Sequence, residues 1–530
     1  MRADLEWKTV PGLVAGAAAR FGDAEALVDG ELRLSYAGLA ELAEASTRSA
    51  IAAGLQPGER AAVWAPNIHE WIAAALGVMG AGGVLVPLNT RFKGREAADI
   101  LLRSRARILF CVNGFLGNDY PALLAAADVE LPDLAHTVIL RGAVPDGAIG
   151  WGDWLRAGRD VTPSDARQRT SAVGSADLSD IIFTSGTTGR PKGVMCSHGQ
   201  TLRVFETWSD MIGLRAGDRY LVINPFFHTF GYKAGWIACL LKGATIIPQA
   251  VFDVAEAMGR IAEERVTVLP GPPTLFQSIL DAPSRGDHDL TSLRLAVTGA
   301  AVVPVELIRR MREEMTFQTI VTGYGLTEST GTVTMCRPED DPETIAHTSG
   351  RAIRDTECRV VDDQGVEMPS GEPGEVVTRG YHVMSGYLDD PDATAEAIDA
   401  DRWLHTGDIG VMDERGYLRI TDRKKDLFIV GGFNAYPAEI EGMLLRHPAV
   451  SQVAVVGMPD ERLGEVGVAF VVPRPGEVVS AEEIITWAQT EMANFKVPRR
   501  VEIVDALPLN ASGKVLKTEL RERATGGTTR

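Results

Sequence analysis

The sequence predicts an α/β protein with a large N-terminal domain of parallel sheets covered by helices on both faces, followed by a small α+β domain. Three observations carry that expectation. Short β-rich runs alternate with Ala/Leu-rich helical stretches over most of the chain. Several of those runs are apolar throughout. The texture then changes after about position 375.

The elements support this in order. The N-terminal "MRADLEWKTVPGLVAGAAARFGD" has the look of a leader, but Asp4, Glu6 and Lys8 precede a very short apolar run. A helix starting near Thr9 and Pro11 accounts for the same letters. The uncharged run Trp71 to Leu88, "WIAAALGVMGAGGVLVPL", approaches the length of a membrane span. Its glycines and Pro87 instead predict a buried helix ending at Gly80 to Gly83 and a buried strand "VLVPLN", so no membrane span is expected. "RAAVWAPN" leads into that helix. Later, "ATIIPQA" leads into "DVAEAMGRIAEER" and then "VTVLPGPP". Such alternation gives parallel βαβ units, and apolar runs such as "VTVL" suit strands buried on two faces.

Beyond position 375, "GEVVTRG", "GVMDERGYLRITDRKKDLFIVGG" and "VSQVAVVGMPD" read as short antiparallel strands joined by Asp/Gly turns. The charged knot "TDRKKD", 421 to 426, marks a boundary, giving domains 1–424 and 425–530. The downstream piece, about 100 residues, is of ordinary domain size. It reads as helix "YPAEIEGMLLRHP", strands "VSQVAVVGM" and "VGVAFVVP", and helix "SAEEIITWAQTEM".

Composition narrows the function. The 530 residues are 45% hydrophobic and 23% charged, as in ordinary globular proteins, and the net charge of −18 argues against a nucleic-acid binder. Five widely spaced cysteines without a CxxC pair fit a reducing cytoplasm. No His pair has metal-ligand spacing.

The stretch "IIFTSGTTGRPKGVM", 181 to 195, carries the chemistry. Its glycines let successive backbone N–H groups converge on an anion. Thr184, Ser185, Thr187 and Thr188 add hydroxyl donors, and Arg190 and Lys192 add charge. That composition makes a phosphate cradle. It is not a Walker loop, which needs Gly and Lys adjacent.

Here the chain resembles the acyl-adenylate-forming enzymes, which include acyl-CoA synthetases, adenylation domains of peptide synthetases and luciferases. Beyond "TSGTTGRPKG", the likeness runs through "PLNTRF" from Pro87, "TGYGLTE" from Thr322, "GEVVTRGYHVMSGYL" from Gly374, "WLHTGD" from Trp403, "DRKKDLFIVGGFNAYPAEIE" from Asp422 and "PLNASGK" from Pro508. The resemblance implies a distorted β subdomain in the large domain and a mobile small domain. It also implies a two-step reaction with ATP, Mg²⁺ and coenzyme A, in which a carboxylic acid becomes an acyl-AMP and then a thioester.

Site residues follow from the same resemblance. Thr184, Ser185, Gly186, Thr187, Thr188, Gly189 and Lys192 would hold the phosphates. Gly299, Ala300 and Ala301, with Thr322, Gly323, Tyr324, Gly325, Leu326 and Thr327, would bind the nucleotide, Tyr324 lying along the adenine and Thr327 bonding a phosphate oxygen. Glu328 would hold Mg²⁺. Asp408, supported by Arg423, would accept from the ribose diol. Lys514 would bridge carboxylate and phosphoryl oxygens during adenylation. Lys425 would be the hinge, with Gly431, Gly432 and Phe433 lining the thiol entry. Many members have Gly where Asp422 stands.

The acyl pocket is expected in "PFFHTFGYKAGW", from Phe227, His228, Tyr232, Gly235 and Trp236, with Thr298 and Gly323. His228 would shield the carboxylate and join Thr184, Glu328 and Lys514 in catalysis. Lys233 could reach a ketone or a second acid group of the substrate, but a lysine near a pocket mouth is more often solvated, and that is the expectation. The longer patterns "NPFFHTFGYKAG", "VTVLPGPPT", "AVTGAA", "TMCRPEDD" and "AIDADRWLHTGDIG" resemble one subgroup: actinobacterial CoA ligases acting on a bicyclic propanoate left by steroid ring breakdown. A ligase for medium-chain or aryl acids, or an adenylating enzyme loading a carrier protein, stays open. A catalytically dead nucleotide sensor would lack Lys514, Glu328 or the Thr-rich loop, and all are present. The expected partners are the acid, ATP and CoA. The oligomeric state, a homodimer included, is left open.

Overall fold

The computed structural model describes residues 2–184, 191–299, 303–423, 426–430, 433–460, 462–492, 494–509 and 515–526, with only the backbone of Arg423, Phe433 and Asn434. The chain forms two compact units. One comprises Met1–Cys358 and Thr378–Leu404, the other Arg359–Val377 and His405–Arg530. This division is not the single cut expected near 424. Lys424 and Lys425 themselves lie outside the described residues.

The first unit holds two large sheets. The nine-stranded one runs Arg351–Ala352, Thr334–Met335, Thr319–Tyr324, Leu295–Gly299, Val268–Pro270, Arg219–Val222, Thr245–Pro248, Glu25–Asp29 and Leu32–Ser35. From Thr319–Tyr324 through to Glu25–Asp29 every pairing is parallel. The eight-stranded one runs Gly386–Tyr387, Lys192–Ser197, Leu178–Thr184, Val84–Pro87, Arg60–Trp64, Ala106–Cys111, His136–Ile139 and Ile149–Gly150. Val84–Pro87 and Val268–Pro270 are buried at every position, which explains why their sequences do not alternate. One continuous apolar core joins strand and helix residues of both sheets.

The ambiguous run at Trp71 resolves as a helix, His69–Gly80, and the strand Val84–Pro87. The helix is buried along nearly its whole length. Its glycines have a packing cause: a Cβ on Gly77 or Gly80 would run into Ser46 or Thr47 of the neighbouring helix Tyr36–Ala52. The N-terminal run is the helix Val10–Phe21, capped by the Thr9 side chain, which accepts from Gly12 N at 3.1 Å. Among the described residues no helix is long and apolar enough to cross a membrane.

The second unit holds most of a four-stranded sheet, ordered Thr356–Val361, Pro373–Gly380, Leu404–Met412 and Leu418–Arg423. It also holds a second sheet built on the antiparallel hairpin Val450–Asp460 and Gly464–Pro473. Helices Pro437–Leu444 and Ala481–Glu491 bury Ile440, Leu444, Ile484 and Ala488 in the apolar cluster of that sheet. Ser480 and Glu483 form a capping box at the start of the second helix.

Candidate active site

The site grows from the hairpin of Leu178–Thr184 and Lys192–Ser197. Thr184 pairs with Lys192 across it, so the two flank the loop. Ser185, Gly186, Thr187, Thr188, Gly189 and Arg190, the loop itself, lie outside the described residues. On the far side of Lys192–Ser197 the short strand Gly386–Tyr387 pairs with Val194 and Met195. That pairing brings the Tyr387 ring under Lys192, whose Nζ is 5.0 Å from the ring centroid, a cation–π distance.

Glu328 closes the group. It sits in the single 3₁₀ turn Thr327–Ser329, where Ser329 Oγ accepts from Leu326 N at 3.1 Å. Its Oε1 accepts from Tyr387 Oη at 3.0 Å and from Thr184 Oγ1 at 3.4 Å. Its backbone carbonyl accepts from Met384 N at 2.8 Å. Burial and the neighbouring Glu328 carboxylate push the Tyr387 phenol far above its ordinary pKa, so it stays a donor. Gly325, just ahead of the turn, has no room for a Cβ because the Gly331 carbonyl approaches it closely. The Glu328 carboxylate with the Thr184 and Tyr387 hydroxyls is an all-oxygen donor set, which suits a hard cation such as Mg²⁺. The other acid-rich group, Asp29, His69 and Glu70, is bridged instead by Arg141, 2.7 Å from Glu70. It reads as a structural ion network.

Adjacent strand ends bring together the segments expected to bind the nucleotide. Thr298 pairs with Thr322 and Gly299 with Gly323 in parallel register, and ligands bind open α/β sheets at such C-terminal strand ends. Thr322 Oγ1 turns inward, donating to Ile345 O at 3.2 Å and Thr348 O at 3.1 Å. Its side chain therefore anchors the strand. Thr298 Oγ1 is buried without a hydrogen-bond partner among the described residues. Tyr324, Leu326 and Thr327 are part-buried and Gly325 is exposed. Ala300 and Ala301 lie outside the described residues.

The aromatic segment divides. Phe227 is part-buried and His228 exposed, with His228 Nδ1 accepting from Phe230 N at 3.2 Å. Tyr232, Gly235 and Trp236 are wholly buried in a π-helical turn, Tyr232–Ile237. The Trp236 ring lies 5.1 Å from Tyr232 and 6.2 Å from Trp71, centroid to centroid. Lys233 corrects an expectation: it is 0% exposed, not solvated, and meets Asp180 at 2.9 Å.

In the second unit, Asp408 is buried and pairs with Arg423 across the hairpin of Leu404–Met412 and Leu418–Arg423. Asp422, the departure from the common Gly, holds a helix in place. Its Oδ2 accepts from Ala438 N at 2.7 Å, in the first turn of helix Pro437–Leu444. Phe433 pairs with Val430 in a short hairpin. Gly431, Gly432, Lys425 and Lys514 lie outside the described residues. Tyr387 is the site residue that sequence reasoning passed over, although its "SGYL" closes the motif that begins at Gly374.

The family model described as AMP-binding enzyme matches residues 14–388, and that of the AMP-binding enzyme C-terminal domain matches 439–514. The chain is 48% identical over 517 residues to a (7a-methyl-1,5-dioxo-octahydro-1H-inden-4-yl)propanoyl:CoA ligase of Rhodococcus jostii, covering 97% of this chain and 98% of that one. It is 49% identical over 515 residues to the ligase of the same name from Mycobacterium tuberculosis, covering 97% and 99%. Among solved structures, the anthranilate CoA ligase AuaEII in complex with anthranoyl-AMP superposes with a TM-score of 0.86 at 27% identity, covering 99% of both chains. ATP-bound MatB from Rhodopseudomonas palustris gives 0.83 at 29% identity, covering 98% and 99%.

Proposed function

This chain belongs to the AMP-binding enzyme family, and from that premise we propose how its residues divide the work of an ATP-dependent acid–CoA ligase and which acid it takes. The enzyme joins a carboxylic acid to coenzyme A at the expense of ATP, with Mg²⁺ as cofactor. In the first step a carboxylate oxygen attacks the α-phosphorus, the bond to the β-phosphate bridging oxygen breaks, and pyrophosphate leaves. In the second the CoA sulfur attacks the acyl carbon, the bond to the AMP oxygen breaks, and the thiol proton is lost.

Carboxylate and triphosphate repel each other, so positioning and charge neutralisation carry the first step. Thr184, Lys192 and the loop between them hold the phosphates. Glu328 holds Mg²⁺, which supplies charge neutralisation there, and the Tyr387 hydroxyl orients the Glu328 carboxylate. Lys514 stabilises the charge that shifts onto the phosphoryl oxygens. Asp408 with Arg423 holds the ribose, and Phe227 and His228 form the reachable part of the acyl site. The small domain, 425–530, turns about Lys425 between the steps, and Gly431, Gly432 and Phe433 then line the thiol entry. The observation that carries this assignment is the convergence of Thr184 and Tyr387 on Glu328, with Lys192 over the Tyr387 ring.

The acid is a bicyclic methyl-dioxo-octahydroindenyl propanoate from steroid ring catabolism, in the cytoplasm. Support comes from near-half identity over nearly the full length of two ligases named for that acyl group. The test is AMP release with CoA across a panel of steroid-derived, medium-chain aliphatic and aryl acids. The bicyclic propanoate is expected to give the highest kcat/KM; a higher value for an aliphatic or aryl acid overturns the substrate assignment.

A further inference from the structure

Behind the site lies a buried ion pair that the reaction scheme does not use. Asp180 sits on Leu178–Thr184, the strand that delivers Thr184 to the loop. Lys233 sits on the π-helical turn Tyr232–Ile237, which follows the Phe227–Phe230 stretch. Lys233 Nζ and Asp180 Oδ1 are 2.9 Å apart, and neither side chain has any exposed surface. Asp180 Oδ2 accepts from Ser179 Oγ at 2.6 Å and from Tyr232 Oη at 3.5 Å.

The surroundings link this pair to every part of the loop mouth. Cys196 pairs with Asp180 across the hairpin, on the strand that carries Lys192. Its Sγ lies 3.7 Å from Thr330 Oγ1, and Thr330 Oγ1 donates to the His382 carbonyl at 2.8 Å. Thr330 closes the turn that holds Glu328, and His382 lies shortly before Tyr387. Burial alone would lower the Lys233 pKa, but Asp180 and Cys196 raise it, so the ammonium stays charged.

Stability is a poor explanation for such a pair, because well-packed apolar residues usually serve a core at least as well. What an ion pair adds is direction: the ammonium has one place to go. A π-helical turn changes the angular spacing of its residues, and such turns recur at functional sites. Here the turn lets Lys233 reach the strand behind the loop.

We propose that the Lys233–Asp180 pair is a positioning device that fixes the Phe227–Phe230 acyl segment against the phosphate-loop strand, and so sets how the acid meets the α-phosphate. This rests on the acyl role given to that segment above. Lys233 and Asp180 touch no substrate; they act through the segment and the strand.

The test begins with wild-type pyrophosphate exchange over the acid panel. Absence of exchange with every acid would overturn the ligase reading itself, before any variant is made. Asp180→Asn combined with Lys233→Met then removes both charges and leaves neither unpaired. Asp180→Glu keeps both charges but moves the contact by one methylene. Small misplacements of a reacting group cost up to about a hundredfold. In both variants the acid KM is expected to rise, or adenylation kcat to fall, by about tenfold or more. Preference across the panel is expected to flatten, with the ATP KM unchanged. A purely structural pair would lower the active fraction and leave both KM values and the acid preference alone. Folded variants with wild-type acid KM, kcat and preference overturn the proposal. So does failure of both variants to fold, which would assign the pair to stability.

Discussion

Replacing Tyr387 by Phe removes one hydroxyl from the loop mouth and leaves its ring beneath Lys192. That hydroxyl donates to Glu328 Oε1 at 3.0 Å. A hydrogen bond to a charged group is worth about 1.5–3 kcal/mol. Tyr387 is only part-buried, so water can take over some of the bond, and the lower end, about 1.5 kcal/mol, is the better figure. That corresponds to roughly tenfold. The cation–π contact survives in Phe, so Tyr387→Leu should lose a further factor of about two to five. The assay is pyrophosphate exchange titrated with Mg²⁺. Tyr387→Phe is expected to raise the half-saturating Mg²⁺ or lower the exchange rate by about tenfold. Thioester formation from supplied acyl-AMP should be spared. A folded variant with wild-type Mg²⁺ dependence and rate would refute the idea that this hydroxyl orients the metal-binding carboxylate.

Lys514→Ala should cost adenylation about 3 kcal/mol or more, over a hundredfold, while thioester formation from supplied acyl-AMP continues; equal loss in both steps would remove its assigned role. Lys425→Pro should do the reverse, and normal overall turnover in that variant would count against a hinge there. His198 and His382 are buried, and burial lowers both pKa values from 6.5 to about 4. The unfolded chain takes up these protons near pH 6.5 and the folded chain near 4. Their contribution to stability is thus intact above 6.5 and is lost as pH falls towards 4. At about 1.4 kcal/mol per pKa unit this amounts to about 3 kcal/mol per histidine at most. Unfolding midpoints measured from pH 7 down to 4.5 should fall steadily, and a flat profile would contradict it.

Much of the fold was legible because local rules and burial agreed. The run at Trp71 was readable as helix then strand because its glycines and Pro87 break a span. The reason for those glycines, Ser46 and Thr47 on a neighbouring helix, was not readable. The loop motif marked Thr184 and Lys192, since it concentrates unusual residues in one place. Tyr387 was passed over because its importance arises from a two-residue edge strand that brings it to Glu328. The aromatic segment could not be sorted into pocket and core residues, because a π-helical turn breaks the angular spacing on which such sorting depends. Lys233 was misjudged because its partner, Asp180, lies far upstream, and nothing in the sequence pairs the two.

The strand Leu418–Arg423 ends in two neighbours with separate duties. Asp422 clamps the first turn of the helix Pro437–Leu444, while Arg423 stands across from Asp408. Successive residues of a strand point to opposite sides. Inserting or deleting a single residue upstream in this strand would therefore exchange those sides and turn the Asp422 carboxylate away from the helix it anchors. This short stretch can vary in letters, but its count cannot change.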